Sequence, residues 1–155
     1  MSPDSLIKDT LEKSKIIAMV GASVPKENEA VAKMRLKPSI IVMKYLLEFG
    51  FKVIPVNPFS VGKKINGETV MEKLEDIKIP VDIVNVFRPS AETPLIAKQA
   101  VKIKPKMFWL QFGIHNQEAK ETVESENIAY ISNKCIKQEY QRLFLKMSPV
   151  FPVLK

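Results

Sequence analysis

The stretch Lys15–Ser23 reads "KIIAMVGAS". It is a continuous apolar run, Ile16 to Val20, that ends on Gly21. A strand buried on both faces has this look, and a glycine at its carboxyl end is how a nucleotide-binding strand-to-helix turn opens. In a dinucleotide fold that glycine is the first of three, spaced G-x-G-x-x-G, yet the next glycine here is Gly50. The turn therefore has one letter of the fingerprint and lacks the other two.

Working outward, similar runs recur at Lys52–Val56, Ile83–Phe87, Met107–Leu110 and Ala129–Ser132, each bounded by turn residues. Helical periodicity fills the intervals at Ser39–Phe49, Val70–Ile77, Ala91–Ile103 and Asn116–Glu126. It also covers Ile136–Lys146 after the last strand and Ser5–Ser14 before the first. Strands alternating with helices predict right-handed crossovers and an α/β fold with a five-stranded parallel sheet covered on both faces. Ser39 is expected to cap its helix, with Gly50 as the left-handed residue at the other end, and Asn116 is expected to cap the helix that follows it. The closing "SPVFPVLK" carries two prolines and reads as an irregular tail. With no internal repeat or linker, the chain reads as a single domain over residues 1–155.

At 155 residues the chain can bury a core without staples. It contains no apolar run near the roughly 20 residues that cross a bilayer, and "MSPDSLIKDT" lacks the layout of a signal peptide. No membrane association and a cytoplasmic location are expected. The single cysteine, Cys135, cannot form an internal disulfide or a thiolate metal site. A formal charge of +7 draws anions of every class, nucleic acid and phosphorylated metabolites included. The cations are scattered and not interleaved with aromatics, so nucleic acid ranks below a small phosphorylated ligand.

Ligands of open parallel sheets bind beyond the carboxyl ends of the strands, near the point where strand order reverses. That rule singles out "GAS", "VNPF", "VFRPS", "LQFG" and "SNKC". Gly21 allows close backbone approach, Ala22 is small, and Ser23 offers a hydroxyl and an amide to a phosphate oxygen; the plain alternative is a turn that holds nothing. The second strand ends in Val56-Asn57-Pro58 where a dinucleotide fold has an acid for the ribose hydroxyls. Asn57 then has two readings, a turn former or a hydrogen-bonding wall of a nucleotide pocket. Arg88 directly follows the third strand, where a guanidinium can grip a phosphate in bidentate fashion. The long excursion Val24–Lys37 holds Lys26, Lys33, Arg35 and Lys37, which read as a solvated face, contact with ligand being the alternative.

Taken together, "VGAS", "PS" before an apolar helix, "GFKVIPVNP", "GETVMEKLEDI", "VDIVNVFRP", "WLQFGIHNQEA" and "CIKQEYQRL" resemble the stand-alone CoA-binding proteins. These are small relatives of the CoA-binding domain in the α subunit of succinyl-CoA synthetase. The likeness runs from the first strand to Leu143 and implies a Rossmann-like three-layer fold that binds the nucleotide end of coenzyme A. It implies that Gly21, Ala22 and Ser23 line a phosphate loop, that Asn57 and Pro58 border the adenosine, and that Phe87 and Arg88 close the pocket. Gln111 and Gly113 would face the ligand from the fourth strand. The chain departs from the pattern in the length of the 24–37 excursion and in Tyr140, which stands where relatives often have a histidine.

Nothing in the sequence supplies catalysis. His115, the only histidine, lies in a loop, Trp109 and Phe108 read as core, and Phe112 is placed to pack near an adenine. No metal-ligand spacing, paired acids or nucleophile-base arrangement is present. Cys135 follows the fifth strand at the same edge, either as a small buried apolar group or as a thiol beside the one in which CoA ends. The expected function is binding of CoA or an acyl-CoA with no activity of its own, a protein partner or second copy being left open. An NAD(P)-linked oxidoreductase with an atypical loop is the alternative, and a basic nucleic-acid binder ranks third.

Overall fold

The computed structural model describes residues 2–23 and 37–145. Within them the alternation seen in the sequence becomes β1 (Ile16–Val20), β2 (Lys52–Val56), β5 (Ile83–Val86), β6 (Met107–Leu110) and β7 (Ala129–Ile131). They form one parallel sheet in the order β2-β1-β5-β6-β7. The helices are α1 (Pro3–Lys13), α2 (Pro38–Glu48), α3 (Thr93–Ile103), α4 (Gln117–Glu124) and α5 (Ile136–Tyr140). The charged excursion over 24–36 and the tail over 148–155 lie outside the described residues.

Side-chain parity sorts the layers. Ile17, Met19, Val53, Met107 and Trp109 point to one face, against α1, α2 and α5. Ala18, Val20, Ile54, Phe108 and Leu110 point to the other, against α3 and α4. Both faces are buried, which is why the strands read as nearly continuous apolar runs. Trp109 and Phe108 are fully buried as expected, and the indole Nε1 donates to the Lys134 carbonyl at 2.8 Å. The chain leaves β1 toward one face and β5 toward the other, so strand order reverses between these two neighbours.

Three local expectations are corrected. The segment Val70–Ile77 is not an α-helix. Met71 donates to the Pro55 carbonyl and accepts from the Asn57 amide, each at 2.9 Å, and only Leu74–Asp76 forms a single 3-10 turn. The carbonyl and amide on the outer edge of β2 thereby find partners, and Pro55, which has no amide hydrogen, costs the ladder nothing there. Ser39 is not the cap of α2. Lys37 occupies that position and Pro38 the first turn, leaving Ser39 buried inside the helix. Finally, α5 gives way after Tyr140 to a π-type turn over Gln141–Leu145. The sequence reading also missed a small hairpin, β3 (Lys64–Ile65) and β4 (Glu68–Thr69), closed by Asn66 and Gly67 at φ of 50° and 85°. Asn116 does cap its helix, accepting from the Ala119 amide at 2.9 Å.

The start of β1 is fixed from a distance. Asp82 Oδ2 accepts from the Lys15 and Ile16 amides at 2.8 and 3.0 Å, and its other oxygen lies 3.5 Å from Lys106 Nζ. Partial burial pushes this carboxyl up, but the two amides and the Lys106 ammonium outweigh it and hold the group below the usual aspartate value. A depressed folded-state value means the stabilisation is present above about pH 4, the unfolded-state range, and is lost as pH falls through the folded value. Asp82→Ala is expected to cost about 2 kcal/mol at neutral pH. In urea titrations at several pH values, the gap from the unsubstituted protein should narrow below about pH 4.

Candidate functional site

At the point where strand order reverses, the Gly21 amide donates to the Val56 carbonyl at 2.8 Å while the Phe87 amide donates to the Val20 carbonyl at 2.8 Å. The first bond ties the loop after β1 to the end of β2, and the second holds the backbone after β5 against the end of β1. Gly21 sits at φ +90°, and a Cβ there would stand 2.8 Å from both the Phe87 carbonyl oxygen and Arg88 Cδ. Glycine is therefore required by the crossing of two main chains, whatever the loop binds.

The rest of the loop is tied down. Ala22 is fully buried, and its carbonyl accepts from Asn57 Nδ2 at 2.9 Å. Asn57 Oδ1 accepts from the Phe59 amide at 2.9 Å, an Asx turn, so both ends of this carboxamide are used by the protein. The Ser23 amide donates to Ser39 Oγ at 3.1 Å, which is why Ser39 is buried within its helix. Of the groups expected to meet the ligand, the Ser23 amide, read as a phosphate donor, and the Asn57 side chain, read as a wall of the nucleotide pocket, already have protein partners.

The ridge formed by Gly21, Phe87 and Arg88 divides two cavities. One, of about 410 Å3, lies toward α3 and is lined by Gly21, Asn57, Pro58 and Arg88. The other, of about 570 Å3, lies toward α2 and α5 and is lined by Phe87, Gln111 and Cys135. Phe87 and Arg88 are successive residues, so their side chains fall to opposite sides. Ala22 and Ser23, expected to line the phosphate loop, line neither cavity. Gly113 lines neither cavity: its amide is bound to Asn133 Oδ1 at 2.7 Å in an exposed turn. His115 lines neither as well; it is exposed, its amide donating to Ser90 Oγ at 3.0 Å. Phe112 borders the second cavity, 75% exposed, and is absent from the first.

Sequence reading missed Leu95 as a wall of the first cavity and, having singled out the segment "VNPF", gave no role to its Phe59; the two are 65% and 84% exposed. An aromatic residue inside the turn "VNPFS" was the available signal, because a turn has no core to put it in. Arg88 carries its own partner. Its Nε and Nη2 donate to the two Glu92 oxygens at 2.9 and 2.8 Å in a bidentate pair. That hydrogen-bonded carboxylate raises Arg88 above its ordinary value, and Arg88 holds Glu92 below the usual carboxylate range. Both side chains are more than a third exposed, so water screens the pair and the guanidinium can exchange it for another anion. Among the described residues no group of three His, Cys, Asp or Glu side chains could hold a metal ion.

A family model described as "CoA binding domain" matches residues 15–141, from the first strand through the start of the terminal turn. The chain belongs to the CoA-binding domain family. It is 34% identical over 131 residues to the protein YneT of Bacillus subtilis, covering 84% of this chain and 89% of that one. A Thermus thermophilus structure superposes with a TM-score of 0.82 at 32% identity, covering 92% of this chain and all of the other. A Pyrococcus horikoshii structure gives 0.79 at 32% identity and 92% of both chains. The family and the sheet order agree with the Rossmann-like expectation, and no helix among the described residues is long and apolar enough to cross a membrane.

Two glycines provide an internal comparison. Gly21→Ala meets the Phe87 carbonyl oxygen at 2.8 Å, whereas Gly113, at φ +87°, has no atom within 4 Å of an added Cβ. Gly113→Ala should cost about 1 kcal/mol from backbone strain alone. Gly21→Ala should cost clearly more in the same denaturant titration, and equal costs would show that the crossing yields easily.

Proposed function

We propose that this protein binds coenzyme A, or an acyl-CoA, across the ridge at the carboxyl edge, with its nucleotide end in the cavity toward α3. Membership of the CoA-binding domain family supports the ligand class. The observation that carries the reading is the state of Asn57: both ends of its side chain are bound to protein at the place where a dinucleotide fold presents a free carboxylate to ribose hydroxyls. The cavity instead offers Arg88 to a phosphate and the apolar faces of Phe59 and Leu95 to a purine ring. The protein acts as a cytoplasmic binding module, and it performs no chemistry of its own. His115, the lone imidazole, faces neither cavity, which supports that view.

Calorimetric titration of the purified chain with CoA and with NAD tests the reading directly. CoA should bind more tightly, and equal or tighter binding of NAD would overturn it in favour of the oxidoreductase alternative. Arg88→Ala should weaken CoA binding by about 1.5–3 kcal/mol, the range for a charge-assisted hydrogen bond. Glu92→Gln should strengthen it, because the phosphate no longer competes with a carboxylate for the same guanidinium edge.

A further inference from the structure

The cavity toward α2 and α5 differs in kind from its neighbour. Ile41, Val42, Phe87 and Phe112 make its walls apolar, and among the described residues the titratable groups lining it are Cys135 and Lys137. It also contains a built hydrogen-bond donor. Gln111 is only 6% exposed, and its Oε1 accepts from Asn85 Nδ2 at 3.0 Å and from the Ile136 amide at 3.1 Å. The Ile136 amide, a main-chain donor, fixes the sense of the carboxamide, since turning it over would set donor against donor. The Nε2 group has no protein partner among the described residues and belongs to a side chain that lines the cavity, so it is open to an acceptor from a ligand.

We infer that this cavity holds the pantetheine arm, whose amide carbonyls meet Gln111 Nε2, and that Cys135 forms a mixed disulfide with coenzyme A by exchange with a CoA disulfide. The inference rests on the proposed binding of CoA in the neighbouring cavity. Arm and nucleotide are continuous across the ridge, where Phe87 faces one side and Arg88 the other. In the exchange, the Cys135 thiolate attacks one sulfur of the CoA disulfide, and the new sulfur–sulfur bond forms as the old one breaks. The second CoA departs as a thiolate and takes up a proton equivalent to the one Cys135 gave to solvent. The protein thiol is oxidised and half of the disulfide is reduced, so no further oxidant is needed. Transfer of an acyl group to Cys135 would require a base and donors for an oxyanion, and no carboxylate or imidazole lines this cavity among the described residues. Thiol–disulfide exchange needs neither.

The test is intact mass spectrometry of the full chain after incubation with CoA disulfide, alongside glutathione disulfide and a calorimetric titration with desulfo-CoA. The expected result is one CoA moiety per chain, released by reductant and absent in Cys135→Ser. Docking raises the local concentration, so the CoA disulfide should react about tenfold or more faster than glutathione disulfide at equal concentration, and excess desulfo-CoA should slow it. Gln111→Glu keeps an acceptor for Asn85 and Ile136 but removes the donor, and it should lower the ratio of the CoA disulfide rate to the glutathione disulfide rate several-fold, a ratio in which the effect of the added carboxylate on the thiol itself cancels. If desulfo-CoA binds and no adduct forms, or the two disulfides react equally fast, or the adduct persists in Cys135→Ser, this inference falls while CoA binding stands. If desulfo-CoA does not bind, the binding reading falls and the inference with it.

Discussion

The close approach of Gly21 to the Phe87 carbonyl and the Arg88 side chain organises the functional edge of this molecule. Two short hydrogen bonds, from Gly21 to the end of β2 and from Phe87 to the end of β1, draw the loops together before they part toward opposite faces. Only a residue without a side chain fits between them. The ridge that results is main chain on top and has a hollow on either side. Everything proposed about the ligand follows from that shape, because a flexible molecule with a charged middle and two chemically different ends can lie astride it.

Two carboxamides show how the same side-chain chemistry serves different ends. Asn57 has both its oxygen and its nitrogen bound to neighbouring backbone, so it is a strut that joins the loop after β1 to the turn after β2. Gln111 has two donors on its oxygen and none of its own hydrogens used among the described residues, so it braces β5 and α5 while keeping a hand free. Arg88 lies between these cases. Its fork is filled, but by an exposed carboxylate whose attraction is weak enough to be exchanged.

Much of the architecture was legible because each strand is buried on both faces and each helix on one. The strands Ile16–Val20, Lys52–Val56 and Met107–Leu110 emerge with the bounds expected of them, and the other two differ by one residue. Local patterning failed where a long-range backbone demand overrode it. Val70–Ile77 has helical spacing, but the outer edge of β2 needed partners and took Met71 instead. Ser39 looked like a cap and became an acceptor for an amide 16 residues earlier in the chain, a contact that no local window contains. The Asn66–Gly67 turn was written in plain view, but its flanking strands are two residues each and give almost no periodic signal. At the site, the sequence located the edge and seven of its wall residues by counting to the ends of strands. It did not distinguish ligand-facing groups from struts, because that depends on which hydrogen-bonding ends the protein has already used.

The pairing of Met71 with β2 has a consequence for how this molecule meets others. An open strand edge invites another chain to add to the sheet, and β2 would otherwise offer a row of unsatisfied main-chain groups. Pro55 and the short parallel bridge to Met71 close that margin, with the β3–β4 hairpin packed beside it. At the opposite margin β7 is only three residues long. Growth of the sheet from molecule to molecule is therefore blocked on one side and poorly templated on the other. Among the described residues, the surfaces left open to another molecule are the helical faces and the exposed apolar rims of the two hollows.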